Sequence, residues 1–113
     1  MSRMKGTNLG EFEELVLLTV GVLHDGAYSL AITAEIKRIT KRKVSFGVVH
    51  SALNRLEEKG YVRSHLGGAT KERGGRRKRL FTISAAGKKA IIRTKEQRDM
   101  LWSLIPGTLL KNI

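Results

Sequence analysis

The sequence predicts a mainly α-helical fold with one small β-hairpin, in the arrangement of a winged helix-turn-helix. Apolar residues recur at helical spacing between Ser45 and Gly60, which indicates an amphipathic helix. Two short strand candidates follow at residues 61–66 and 78–84. The loop between them is rich in glycine and in basic residues. Because a helix followed by a hairpin with a cationic tip forms the second half of a winged helix-turn-helix, this segment determines the predicted fold class.

The composition restricts the classes of function that this chain can have. Its 113 residues suffice for one domain with a modest core, and its net charge of +12 favours a polyanionic partner such as DNA, RNA or an anionic membrane surface. The absence of cysteine excludes disulfides, thiol catalysis and most structural zinc sites. No apolar run reaches the roughly 20 residues of a membrane span, and the N-terminus lacks the apolar segment of a signal peptide. We therefore expect a cytoplasmic protein with no cofactor, no metal and no membrane partner.

The first helix is predicted at residues 11–24, after a flexible arm at residues 1–9. Its first turn is rich in glutamate, which suits the positive end of the helix dipole. Apolar residues, Phe12 and Val16 among them, then cover nearly the whole circumference. A helix that is apolar all round must be covered on more than one side. Since so small a domain offers little second cover, we expect these residues to contact a second subunit.

The second helix is predicted at residues 28–42, with Ser29 as its candidate cap. Its apolar positions have helical spacing, and its C-terminal end is strongly basic. Lys41 and Lys43 lie just before the next helix. Two interpretations stay open for them: contact with nucleic-acid phosphates, or a favourable interaction with the helix dipole alone.

The third helix has an exposed face suited to reading DNA. Ser45 is the predicted N-cap, and Gly60 followed by Tyr61 predicts a Schellman-type end. On a helical wheel, the face opposite the apolar stripe carries small or hydrogen-bonding residues without long acidic side chains. Among them Asn54 is the best candidate for direct base readout, with adenine as its partner. Arg55 lies on the flank, where a salt bridge to Glu57 or Glu58 is the alternative to a DNA contact. The predicted DNA-binding residues of this helix are Ser45, Gly47, His50, Ser51, Asn54 and Arg55.

The hairpin loop supplies the densest positive charge. Residues 71–79 contain six basic residues and one acid. A solubilising loop is one interpretation, but so dense a cluster of one sign repels itself and favours a nucleic-acid partner. The predicted contacts to phosphates or to the minor groove are Arg73, Arg76, Arg77 and Lys78.

A last helix is predicted at residues 85–105, capped by Ser84 and ended by Pro106-Gly107. Its centre is polar, and Leu101, Trp102 and Ile105 lie in an apolar cluster some 20 residues beyond the hairpin. The core of one domain does not need this cluster, so we expect it to pair with a symmetry mate. The predicted division is a DNA-binding domain at residues 1–84 and a dimerisation helix with its tail at residues 85–113.

Residues 9–88 resemble the PadR-like transcriptional regulators. The resemblance lies in the opening LGEFEELVLLTV, the third-helix pattern Ser45-x-Gly47…Ala52-Leu53-x-Arg55-Leu56-Glu57-x-x-Gly60-Tyr61-Val62, the basic hairpin Glu72-Arg73-Gly74-Gly75-Arg76-Arg77 and the helix start Ser84-Ala85-Ala86-Gly87. It implies a dimeric winged-helix protein that binds a palindromic double-stranded operator, usually as a repressor released by a small phenolic or drug-like effector.

Two residues depend on this resemblance for their interpretation. The family often has Tyr-Pro where this chain has His50-Ser51, so His50 either takes over the contact of that tyrosine or is a polar residue in place of a surface aromatic. Trp102 lies where compact relatives place an aromatic at the dimer interface, and it either packs there or contacts an aromatic effector.

The functional prediction is therefore a sequence-specific regulator, and an RNA- or ribosome-binding basic protein is the alternative. A protein-interaction module whose charge serves solubility is a third class. An enzyme is not expected, because the three histidines, His24, His50 and His65, lack a cysteine or a paired carboxylate at catalytic or ligand spacing.

Overall fold

The computed structural model describes residues 8–69 and 77–111, and it has four α-helices and a two-stranded antiparallel hairpin within them. The mainly helical fold with a small hairpin is confirmed. A 3₁₀ turn follows the first helix, and a second one follows the last helix. The elements in chain order are α1 (Glu11–Leu23), α2 (Ser29–Thr40), α3 (Phe46–Glu58), β1 (Val62–Ala69), β2 (Arg77–Ile83) and α4 (Ala85–Leu104).

One hydrophobic core lies where α1, α2 and α3 pack together and β2 covers them. The predicted stripe of α3 faces this core: Val49, Ala52, Leu53 and Leu56 are all fully buried. Phe81 is the core residue that β2 supplies, and it is 1% exposed. Its backbone N–H donates to the Ala27 carbonyl at 2.8 Å, which joins the hairpin to the turn before α2.

Both ends of α3 follow from local sequence. The Ser45 side-chain oxygen accepts from the Val48 N–H at 3.2 Å, so Ser45 is the N-cap. At the other end Gly60 has φ +80°, its N–H donates to the Glu57 carbonyl at 3.0 Å, and the Tyr61 N–H donates to the Leu56 carbonyl at 2.9 Å. This is the Schellman pair of bonds, and both end predictions are confirmed.

The bounds of α2 differ from the prediction at both ends. Tyr28, with extended φ and ψ, stands at the N-cap position and Ser29 is already the first helical residue, so Ser29 as the cap is wrong by one position. The Tyr28 ring lies under the Lys78 ammonium at 4.2 Å, which ties the start of α2 to β2. The helix ends at Thr40, before residue 42, because Lys41 has the left-handed φ of 60°.

The placement of Val16 at a subunit interface is wrong. Val16 is fully buried among the residues by which α1 packs on its own chain, so it has no surface to offer a partner. Phe12 is partly buried against the same core, with the Arg42 guanidinium carbon 5.7 Å from its ring centroid. The exposed apolar residues of α1 are instead Leu18 and Val22.

The start of α4 is fastened to the end of α3. The Ser84 hydroxyl accepts from the Gly87 N–H at 3.0 Å and donates to the Gly60 carbonyl at 2.5 Å. Ser84 as the cap is confirmed, and the helix ends one residue earlier than predicted, at Leu104. Further along, in the second half of α4, Arg98 donates to Glu14 of α1 at 2.7 Å, so this part of the helix is also tied to the domain.

A nearly buried carboxylate links α1 to α3. Glu13, 7% exposed, accepts from Lys59 Nζ at 2.6 Å, from Arg55 Nε at 2.8 Å and from the Gly10 N–H at 3.1 Å. Burial by itself raises the pKa of Glu13, but the hydrogen bonds from Lys59 and Arg55 outweigh it and hold that pKa below its ordinary value.

We expect Glu13→Gln to lower the free energy of unfolding by about 2 kcal/mol at pH 7, because two cations then lose their partner. A lowered carboxyl pKa stabilises the fold above the unfolded-state pKa, and this stabilisation disappears as pH falls through the folded-state value. The difference between wild type and variant should therefore shrink below about pH 4.5. Urea unfolding between pH 3 and 7 measures it, with Asp99→Asn in an exposed pair as the control that changes little. A difference that does not depend on pH would contradict this role.

Candidate nucleic-acid interface

The outer face of α3 presents small and hydrogen-bonding groups to solvent. Gly47, Ser51 and Asn54 are exposed there, and His50 is half-buried beside them. The first-turn N–H groups of the helix point out of the same end, where they favour a phosphate. No atom lies within 4 Å of the position that a Cβ on Gly47 would occupy, so this end of the helix is open to close approach.

His50 has a defined orientation. Its ring stacks on that of Phe46, with the centroids 5.8 Å apart and the planes at 15°. Its Nδ1 is buried and has no hydrogen-bond partner among the described residues. The ring therefore turns Nδ1 inward, and Nε2 is the nitrogen on its accessible side. Phe46, 47% exposed, was missed in the sequence analysis; its position one turn before His50 was the available signal.

The basic end of α2 lies next to this face. Lys41 and Lys43 are exposed, and neither forms an ion pair with another described residue. Arg42, between them, is committed to Glu11 at 2.7 Å. That hydrogen bond from Arg42 lowers the pKa of Glu11 below its ordinary value. A shallow groove joins the end of α2 to the start of α3, and it is lined by Phe12, Lys37, Arg42, Lys43, Val44, Ser45 and Val48.

Arg55 is exposed on the flank of α3. Its Nε donates to Glu13 of α1 at 2.8 Å, which is an ion pair within the domain, and a DNA contact of Arg55 stays a prediction. The partner is neither of the two glutamates suggested by sequence proximity, because the flank of α3 that carries Arg55 packs towards α1. Glu57 has its own partners, Ser64 on β1 at 2.7 Å and Arg79 on β2 at 2.5 Å.

Only part of the basic cluster predicted in the hairpin lies within the described residues. Arg73 and Arg76 lie outside the described residues, and so does the side chain of Arg77. Lys78 lies at the loop end of β2, where its ammonium group contacts the Tyr28 ring. The strands pair from Val62 with Ile83 onward, and their register shifts between Leu66 and Ala69.

Residues 19–93 match the family model of the "Transcriptional regulator PadR-like family", which is most of the chain. The chain belongs to the PadR-like family of transcriptional regulators. The resemblance noted in the sequence is thereby confirmed. No curated protein sequence matches the chain significantly.

Solved structures with the same fold include other regulators of this kind. A PadR-like transcriptional regulator from Bacillus cereus is 16% identical with a TM-score of 0.72, over 90% of this chain and 93% of its own. A transcriptional regulator from Clostridium thermocellum is 23% identical with a TM-score of 0.65, over 81% and 86%. A PadR family regulator from Eggerthella lenta is 19% identical with a TM-score of 0.66, over 91% and 88%. At these identities the likeness concerns the fold.

The far end of α4 in this PadR-like regulator carries an exposed apolar surface. Leu101 is 67% exposed and Trp102 is 62% exposed, while Ile105, just past the helix, is half-buried. Met100 and Leu104 extend the same surface. We call these five residues the α4 apolar end; the intramolecular contacts of a single chain leave most of it uncovered.

Within residues 8–69 and 77–111, no three histidine or acidic side chains are grouped so as to hold a metal ion. In the same part of the chain, no helix combines the length and the apolar character needed to cross a membrane.

Proposed function

We propose that this PadR-like regulator binds a specific duplex operator as a homodimer and represses transcription by occluding it. The observation that carries the proposal is the outer face of α3, where Gly47, Ser51 and Asn54 are exposed beside uncommitted lysines at the end of α2. Such a face combines hydrogen-bonding groups for base edges with cations for phosphates.

Recognition would follow the geometry of helix-turn-helix dimers. Two copies of α3 enter successive major grooves, with half-sites about one helical turn apart. Asn54 pairs with an adenine edge, and His50 offers Nε2 as its only accessible ring nitrogen. Lys41, Lys43 and the basic loop bind phosphates and supply most of the salt-sensitive affinity.

The dimer would be built by residues 85–113, the dimerisation helix with its tail, through the α4 apolar end. Leu18 and Val22 of α1 are exposed apolar residues that suit the same contact. We expect Leu101→Asp to convert a dimer to a monomer at micromolar concentration, because a carboxylate is then placed among apolar side chains. Sedimentation velocity measures the change. Leu66→Asp, which alters a leucine that is 61% exposed on β1, is the matched control and should leave the mass unchanged; a dimer in both variants would contradict the assignment.

An effector would act by changing the angle between the two copies of α3 in the dimer. A small aromatic or phenolic molecule is the class that we propose, stacked on Trp102 at the subunit contact. Trp102 is the single tryptophan of the chain, so its fluorescence reports such binding directly.

Fluorescence anisotropy tests the function. The labelled probes are a duplex from the upstream region of the protein's own gene, a scrambled duplex and a folded RNA, at about 50 to 300 mM salt. Preference for the upstream duplex that survives rising salt and saturates at one dimer per site supports the specific regulator. Preference for RNA would favour an RNA- or ribosome-binding protein, and equal binding that collapses with salt would leave only a basic polyanion binder.

A further inference from the structure

We propose that Glu57 is a positioning residue for operator binding, which fixes the direction of the hairpin relative to α3. The inference rests on the proposed function and adds a residue that does not itself need to touch DNA. Glu57 lies in the last turn of α3, one turn after Asn54. The groups that bind its carboxylate are therefore fixed to the helix that carries the outer face.

The carboxylate of Glu57 spans both strands of the hairpin. One oxygen accepts from the Ser64 hydroxyl on β1 at 2.7 Å, and the other accepts from Arg79 Nη2 on β2 at 2.5 Å. Ser64 pairs across the sheet with Phe81 and Arg79 pairs with Leu66, so the two bonds reach cross-strand pairs that are two residues apart along the ladder. A single side chain thus joins α3 to two strands; we call this the Glu57 clamp.

Arg79 is held along its length. Its guanidinium carbon lies 5.0 Å above the ring centroid of Phe81, which is fixed in the core, and its Nη2 ends on Glu57. The side chains of Arg79 and Glu57 are 41% and 35% exposed, so the pair lies at the surface of the domain rather than inside it. An ion pair at that exposure adds little stability, which leaves its geometry as its main contribution.

Phe81 and Lys78 join the hairpin to the start of α2, and the clamp adds a fixed point on α3. A two-stranded sheet is marginally stable by itself, and its register shifts beyond Leu66. The clamp lies between that irregularity and the end of the hairpin at which Val62 pairs with Ile83. Fixing the strands at residues 64 and 79 sets the direction in which the hairpin leaves α3, and operator binding is proposed to depend on that direction.

Charge alone would argue against an acid at this position. A carboxylate near the outer face of α3 repels phosphates and competes with them for Arg79. If Glu57 acted only through its charge, neutralising it would therefore tighten DNA binding. Positioning predicts weaker binding to the operator. The two accounts predict opposite changes in operator affinity when Glu57 is neutralised, which makes the clamp testable.

The test uses Glu57→Gln in the full chain, which keeps the size of the side chain and removes its charge. Its affinities for an operator selected with the wild-type protein and for a scrambled duplex are measured across a salt series. We expect about a tenfold loss for the operator, no loss for the scrambled duplex, and a smaller salt slope for the operator because fewer phosphates are engaged. Asp99→Asn, which removes the same charge from an exposed pair on α4, should leave all three quantities unchanged.

A double-mutant cycle with Arg79→Ala separates the clamp from other effects. If Glu57 acts through Arg79, the double variant should bind the operator no more weakly than the worse single variant. Thermal unfolding checks that each variant is folded. An unchanged or higher ratio of operator to scrambled affinity in Glu57→Gln would overturn the role of Glu57 alone. Failure of the wild-type protein to discriminate the two duplexes would instead overturn the proposed function, and this inference with it.

Discussion

Replacing Gly87 with alanine is expected to lower the free energy of unfolding by about 3 kcal/mol. A Cβ at this position would lie 2.2 Å from the Tyr61 carbonyl oxygen and 2.9 Å from Cγ2 of Ile83. The backbone carbonyl cannot simply move away, because it accepts from the Ser84 N–H at 3.0 Å. Gly87 itself is held by its bond to the Ser84 hydroxyl. The start of α4 and the end of α3 are joined at this point, and the substitution therefore forces them apart.

Urea unfolding at pH 7 measures this loss, and Gly47→Ala is the matched control. Gly47 also lies in the first turn of a helix, but a Cβ there meets no atom within 4 Å. That variant should be as stable as the wild type or gain roughly 0.5–1 kcal/mol, since alanine is the better helix former. Equal stabilities for the two variants would contradict the close packing at Gly87.

Replacing Asn54 with alanine is expected to weaken operator binding by about 1–3 kcal/mol, or roughly 5- to 150-fold. Asn54 is exposed at the centre of the outer face of α3, and its amide can donate to and accept from one adenine edge at once. The loss should concern the operator and spare a scrambled duplex, because an amide that reads a base adds little to phosphate attraction. Stability should change little, since an exposed side chain is removed.

Operators with single base changes make this prediction more specific. For the wild-type protein, replacing the adenine that Asn54 reads should cost as much as the substitution itself. For Asn54→Ala, the same base change should cost nothing further. Gln97→Ala, which removes an exposed amide from α4, is the control. Equal losses on operator and scrambled duplexes would mean that Asn54 is not a base contact.

The sequence by itself determined the elements whose signals are local. The bounds of α3 follow from a serine cap and a glycine in the left-handed region, and its buried stripe follows from spacing alone. The start of α4 follows from Ser84 in the same way. These features depend on residues within a turn or two of each other, so tertiary context had little to alter. The basic loop and the family resemblance are likewise properties of the chain order.

Only the tertiary structure decided which side of each helix meets which neighbour. The periodicity of α1 left open whether Val16 faces its own domain or a partner, and packing against α2 and α3 placed it in the core. Arg55 found its carboxylate on Glu13, 42 residues earlier in the chain. Glu57 likewise found partners on both strands of the hairpin. Such pairs depend on how close two distant segments come, and that distance is set by packing of the whole core, which no local pattern encodes.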